Sequence, residues 1–147
     1  MGRTIELKIP CEQGYEKMAM ELAAQLALKM GFTDSRIDDL RTAVSEACIN
    51  AMEHGNVFDV DTRILVAMTA FDDRLAIDVL DQGRSGPPPT EVHEPDLAAQ
   101  FDGLIAPGGM GLFVIKALVD EADFVEPDLG PGNQFRMVIH LQSEDSE

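Results

Sequence analysis

Residues 46 to 54 read Glu46-Ala-Cys-Ile-Asn50-Ala-Met-Glu-His54, and the polar members Glu46, Asn50 and His54 recur at four-residue intervals in an otherwise helix-forming stretch. At about 100° per residue, Asn50 lies roughly 40° and His54 roughly 80° around the helix from Glu46. Ile37, Leu40, Val44, Cys48 and Ala51 cluster on the opposite side. The spacing therefore predicts a helix with one face that packs and a polar ridge left free for chemistry. A carboxylate and a carboxamide one turn apart can serve a metal-bound phosphate, the amide oxygen as a hard ligand for Mg²⁺ and the carboxylate as a proton acceptor. Taken alone, the same trio is more often a solvated helix face, because Glu, Asn and His are ordinary surface residues.

Outward from this ridge, the helix is expected to begin near Asp34 or Ser35 and to end at Gly55, a residue suited to a left-handed cap. Upstream, Ile5, Leu7 and Ile9 alternate as a strand, and Glu12 to Met30 carries a helical pattern stopped by Gly31. Downstream, Ile64 to Ala70 and Leu75 to Val79 alternate on either side of Asp72-Asp73, which predicts an antiparallel hairpin. The second of these strands runs into Asp81-Gln82-Gly83, so Asp81 stands at a strand end. A carboxylate there can accept a hydrogen bond from an exocyclic amine such as that of adenine, and Gly83 lets a flat ring approach the backbone. A plain turn would use the same residues.

The stretch 84–107 holds Pro87-Pro88-Pro89, Pro95 and several acidic residues, and is expected to be an irregular lid over a ligand. It leads into Pro107-Gly108-Gly109-Met110-Gly111-Leu112, where three glycines open into an apolar, helix-like run expected from Met110 to Asp120. Helix N-termini favour anions through free N–H groups and the helix dipole, and glycines let phosphate come close. The cluster lacks both the Gly-Lys-Ser/Thr ending of a P-loop and the spacing of a dinucleotide-binding turn. A short strand at Asp123 to Glu126, the turn Gly130-Pro131-Gly132-Asn133 and a strand from Gln134 to Leu141 complete the order. Strands interspersed with helices, without regular βαβ alternation, imply an α+β two-layer sandwich whose mixed, mainly antiparallel sheet is covered on one face by helices.

Taken in order, Glu46-x-x-x-Asn50-x-x-x-His54, Asp81-x-Gly83, Gly109-x-Gly111-Leu112 and Gly132-Asn133 resemble the N box and the three glycine boxes of the GHKL ATPases. The wording Glu-Ala-Cys-Ile-Asn-Ala-Met-Glu-His-Gly-Asn and Gly-Gly-Met-Gly-Leu-Phe-Val-Ile is most similar to the anti-sigma-factor serine/threonine kinases. The resemblance covers nearly the whole chain and implies an ATP-dependent kinase with Mg²⁺ that binds a sigma factor and phosphorylates an anti-anti-sigma protein. It gives Glu46 the role of catalytic base, Asn50 that of Mg²⁺ ligand and Asp81 that of adenine reader. Gly83, Gly109, Gly111 and Leu112 shape the nucleotide site, and His54 orients its neighbours or contacts phosphate. A homodimer is implied by the resemblance alone. Two rivals are a non-catalytic ATP-binding regulator that sequesters its partner, which Glu46 opposes, and a detached histidine-kinase domain, for which no dimerisation helices are present. Ser85 stands where the family often has glycine, so the start of the lid is expected to differ.

With 147 residues, 45% of them hydrophobic, the chain is expected to form one domain, 1–147, with a real core. Its net charge of −16, with only 11 Lys or Arg, disfavours nucleic acid and anionic membranes and favours basic protein surfaces. Arg84 and Lys116 are candidates, by position only, to offset the charge of ATP, and a solvated surface is the more ordinary role for both. Cys11 and Cys48 lack metal-site spacing and read as reduced thiols. No leader or membrane span is visible, which points to the cytoplasm.

Overall fold

A computed structural model describes residues 2–83, 107–127 and 132–141. Among these residues, five strands and three helices follow in the order β1 (Arg3–Pro10), α1 (Glu16–Met30), α2 (Asp34–Asn50), a wide helical turn at Ala51–Gly55, β2 (Arg63–Ala70), β3 (Arg74–Leu80), α3 (Pro107–Leu118), β4 (Glu121–Val125) and β5 (Gln134–His140). The sheet order is β1-β2-β3-β5-β4. All four pairings are antiparallel, so the α+β two-layer expectation holds and no parallel pair appears among the described residues. The expected lid at 84–107 lies outside the described residues except for Pro107, which opens α3.

The register sorts the strands into an inner and an outer face, because successive side chains alternate. Val66 opposes Val79 and Met68 opposes Ile77 across β2 and β3, and Ile77 opposes Met137 across β3 and β5. These residues are buried with Ile64, Leu75, Phe135 and Ile139 beneath the helices. The outer face carries polar pairs among small and aliphatic residues: Thr4 bonds Thr69 at 2.9 Å, and Asp78 accepts from Arg136 Nε at 2.7 Å. α2 packs against both α1 and α3. Its buried residues include Ile37, Leu40, Val44 and Cys48, the side anticipated from the spacing.

Helix limits follow local chemistry. Gly14, at φ +108°, holds α1 back to Glu16 rather than Glu12, and the Glu16 carboxylate accepts the Gly14 N–H at 2.6 Å. Gly31, at φ +101°, closes α1 with its N–H shared between the carbonyls of Ala27 and Leu28. Thr33 caps α2 by accepting from the Arg36 N–H. At the far end of α2 the expectation fails, since Gly55 is not left-handed. The helix widens after Asn50 into the turn 51–55, in which the Asn56 N–H reaches back five residues to the Ala51 carbonyl at 2.9 Å.

Candidate active site

Glu46 and Asn50 leave the last two turns of α2 on its polar ridge and meet the first turns of α3. A Cβ built on Gly111 would stand 2.9 Å from Glu46 Oε2 and 3.1 Å from Asn50 Nδ2. With no side chain at 111, the two helices come this close without displacing either polar group. The helix opens at Pro107, three residues earlier than the spacing suggested, which puts Gly109 and Gly111 within its N-terminal turns. Proline suits a first helical position because its missing N–H has no intrahelical partner there. The helix end that favours anions is thus anchored beside a carboxylate and a carboxamide, with the half-buried Leu112 fastening α3 to the core.

Asn50 Nδ2 is buried and finds no hydrogen-bond partner among the described residues. An unsatisfied buried amide costs about 1–3 kcal/mol, so the position suits a polar ligand. Because a carboxamide presents oxygen or nitrogen by a half-turn, Asn50 can offer its oxygen to a cation. Among the described residues no three His, Cys, Asp or Glu side chains gather as a metal cage. A single carboxamide oxygen fits Mg²⁺, which takes one or two protein oxygens and completes its shell with phosphate and water.

Asp81 forms a second cluster at the end of β3. Its carboxylate accepts from the Gly83 N–H at 2.8 Å, the Asn133 N–H at 3.0 Å and the Asn133 carboxamide at 3.2 Å, while its own N–H donates to the Asn133 carbonyl at 3.0 Å. Gly83 (φ +70°) and Gly132 (φ +122°) are both left-handed, and a Cβ on Gly83 would lie 2.8 Å from Gly132 Cα. The Gly132-Asn133 pair, the weakest of the four sequence cues, is therefore the clasp that holds Asp81. Burial pushes the Asp81 carboxyl up from its ordinary value, and the hydrogen bonds from Asn133 and Gly83 partly oppose this.

Gly55 joins the clusters, since a Cβ there would overlap the Asp81 carboxylate. Its role is close approach rather than the cap expected of it. Asn56 is a further residue that the spacing argument did not assign. Fully buried, it accepts from the Gln82 N–H at 2.6 Å and donates to the Arg63 carbonyl at 3.1 Å, tying the end of the turn to both strand ends. Its only signal in the sequence is an Asn directly after the glycine that ends the ridge.

Two expected members stand apart. The His54 side chain is 47% exposed and pairs with Glu53 at 3.8 Å, and no hydrogen bond or ion pair among the described residues joins it to Glu46, Asn50 or Asp81. The 100° step that placed it on the ridge stops applying where the helix widens. Lys116 lies exposed in the last turn of α3, where its charge complements the helix C-terminus rather than an anion at the other end. Arg84 lies outside the described residues.

Residues 9–139 match the histidine kinase-like ATPase domain family. The serine-protein kinase RsbW of Bacillus velezensis (strain DSM 23117 / BGSC 10A6 / LMG 26770 / FZB42) is 35% identical over 149 residues, covering 95% of this chain and 87% of that protein. The chain belongs to the RsbW serine-protein kinase family, a branch of the histidine kinase-like ATPases. RsbW of Bacillus subtilis (strain 168) is 32% identical, covering 80% of this chain and 74% of that protein, and RsbW of Bacillus cereus (strain Q1) is 31% identical, covering 97% and 88%. In fold, the chain resembles the crystal structure of the RsbU and RsbW domains of Rv1364c from Mycobacterium tuberculosis, at 21% identity and a TM-score of 0.63. It spans 32% of that longer chain, with 93% of its own length covered. RsbW membership bears out the family read from the four boxes. No described helix is long and apolar enough to cross a membrane.

Proposed function

We propose that this RsbW-family chain is an ATP-dependent serine/threonine kinase that transfers the γ-phosphoryl group of ATP to a serine of an anti-anti-sigma protein, and that it also holds a sigma factor. The observation that carries this reading is the close approach of α3 at Gly111 to Glu46 and Asn50, which sets an anion-favouring helix end against the proposed base and metal ligand. In the reaction the serine oxygen attacks the γ-phosphorus, the bond from that phosphorus to the oxygen bridging it to the β-phosphate breaks, and ADP leaves. Glu46 takes the serine proton. Asn50 would hold Mg²⁺ through its side-chain oxygen, and the ion would supply neutralisation of phosphate charge. Asp81 accepts from the adenine amine, Gly83 leaves room for the ring, and Gly109 and Gly111 leave room for the phosphates. His54 has no role in this scheme. Positioning and charge neutralisation suffice for such a transfer, and no covalent nucleophile is needed. We place the chain in the cytoplasm as a homodimer, following the family resemblance.

The test mixes labelled ATP, Mg²⁺ and a purified anti-anti-sigma domain with wild type and with Glu46→Gln. Label should appear on a partner serine, and the variant should lose about 10²–10⁴-fold in transfer rate while binding ATP nearly as wild type does. Transfer by Glu46→Gln at the wild-type rate would remove Glu46 from its role. ATP binding without any transfer would favour a regulator that only sequesters its partner.

A further inference from the structure

At the turn between β2 and β3 the Phe71 N–H donates to the Arg74 carbonyl at 2.9 Å, which fixes the pairs that exchange backbone bonds as every second one along the two strands. The regular register runs as far as Leu65 opposite Leu80. Two residues further, the same alternation would set Arg63 and Gln82 as a bonded pair, with the Gln82 N–H aimed at the Arg63 carbonyl. Asn56 stands between them instead. Its Oδ1 accepts from the Gln82 N–H at 2.6 Å and its Nδ2 donates to the Arg63 carbonyl at 3.1 Å, so a side chain spans the step that a backbone bond would close. The Arg63 N–H donates to the Gln82 side chain, at 2.7 Å from Oε1. A carboxamide thus wedges β2 from β3 at the end where Asp81 leaves the sheet.

The wedge is anchored to the helix that bears Asn50. Through its own N–H, Asn56 bonds the Ala51 carbonyl at 2.9 Å, within the wide turn that continues α2. Gly55, its neighbour, lies so close to Asp81 that a Cβ there would overlap the carboxylate. On the other flank β5 holds Asp81, whose N–H donates to the Asn133 carbonyl at 3.0 Å. A fully buried carboxamide with both ends bonded to strand backbone is rigid, and it fixes the residue that follows Asp81. Hydrogen bonds weaken steeply when the acceptor is misaligned. We infer that Asn56 is a positioning residue for base recognition: by holding β2 and β3 apart it places the Asp81 carboxylate, and so sets the preference for a purine with an exocyclic amine over one with a carbonyl there. This inference rests on the adenine-reading role proposed for Asp81.

Binding of Mg·ATP and of Mg·ITP, whose base carries a carbonyl in place of the adenine amine, should be measured by calorimetry for wild type, Asn56→Ala and Asn56→Ser. Wild type should prefer ATP by about 10–100-fold, the worth of one hydrogen bond to a charged group. Both variants should lose about tenfold of that preference, because the acceptor is misplaced. Serine keeps a hydroxyl for one of the two strand groups and so burdens folding less than alanine. Partial unfolding leaves the ratio untouched, since it lowers both apparent affinities by the same factor. Leu40→Ala, a core change in α2, should melt lower and keep the ratio. A preference for ATP that both Asn56 variants retain overturns the inference and leaves Asp81 its role. So does a preference lost equally by Leu40→Ala, which would make the ratio a measure of stability. Wild type that binds the two nucleotides alike, or neither, removes Asp81 from adenine reading and the inference with it.

Discussion

Asp81 is held under opposed influences, because burial favours its neutral form while the N–H groups of Gly83 and Asn133 favour its charge. The net direction is upward, so the folded protein binds this proton more tightly than the unfolded chain does. Above both pKa values the ionised carboxylate therefore weakens the fold, and that penalty fades as pH falls through the folded value toward the unfolded one. Asp81→Asn should consequently melt no lower than wild type at pH 7 while losing ATP binding by calorimetry, and wild type should gain on the variant as the solution is acidified. A variant that melts well below wild type at pH 7 would contradict this sign. Gly55→Ala drives a methyl into the same carboxylate, and overpacking of this kind costs about 1–3 kcal/mol. It should lower both the melting temperature and nucleotide affinity. Cys48 makes a simpler case: burial, and next the charge of Glu16, push its thiol up to about 12. With Cys11 also buried, neither cysteine should react with a thiol reagent at pH 8 until urea unfolds the chain. Of these residues Asp81 was legible because a carboxylate at a strand end before glycine is a local pattern. Asn56 and the true role of Gly55 were not, since their partners Gln82 and Asp81 lie 26 residues away in each case.

At the scale of elements, α2 followed its sequence closely through Asn50 and departed from it just afterwards. A helix ridge is read by assuming one angular step, and that step is a property of hydrogen bonding that can change without a marker in composition. The bonds from the Asn56 N–H to Ala51 and from the Phe58 N–H to Met52 widen the last turn, turning His54 outward and carrying Gly55 onto Asp81. α3 offers a test at this level. Gly111→Ala adds a methyl 2.9 Å from Glu46 Oε2, the end of a movable side chain, while alanine favours the helix by up to about 1 kcal/mol. The melting temperature should change little, whereas phosphotransfer should fall by more than about tenfold because the base and Asn50 are displaced. A stopped assay of label transfer beside a thermal melt separates the two effects.

For the whole molecule, charge and core act in opposite directions. A net charge of −16 on 147 residues is self-repelling in the compact state, and salt screens it over a Debye length of about 10 Å at 0.1 M. Raising NaCl from low concentration toward physiological strength should therefore raise the melting temperature, and a fall over that range would show that attractive ion pairs dominate. The core that resists this repulsion lies between one sheet face and three helices. Ile77, buried to 1% and opposed by Met68 and Met137, sits at its centre. Ile77→Ala should cost about 2–5 kcal/mol in urea unfolding.

The sequence by itself determined the kind and order of the elements, the inner face of α2 and the two-layer α+β class, because alternation and helical spacing are local records of which side must leave water. It also held the four boxes, whose chemistry depends on residue type. Tertiary structure alone decided that Gly111 lies close beside Glu46 and Asn50, that Gly132 and Asn133 clasp Asp81, and that the loop after Asn56 stands strained and apolar in solvent. Those facts rest on contacts between residues far apart in the chain, and spacing along a sequence carries no measure of distance once the backbone has folded back on itself.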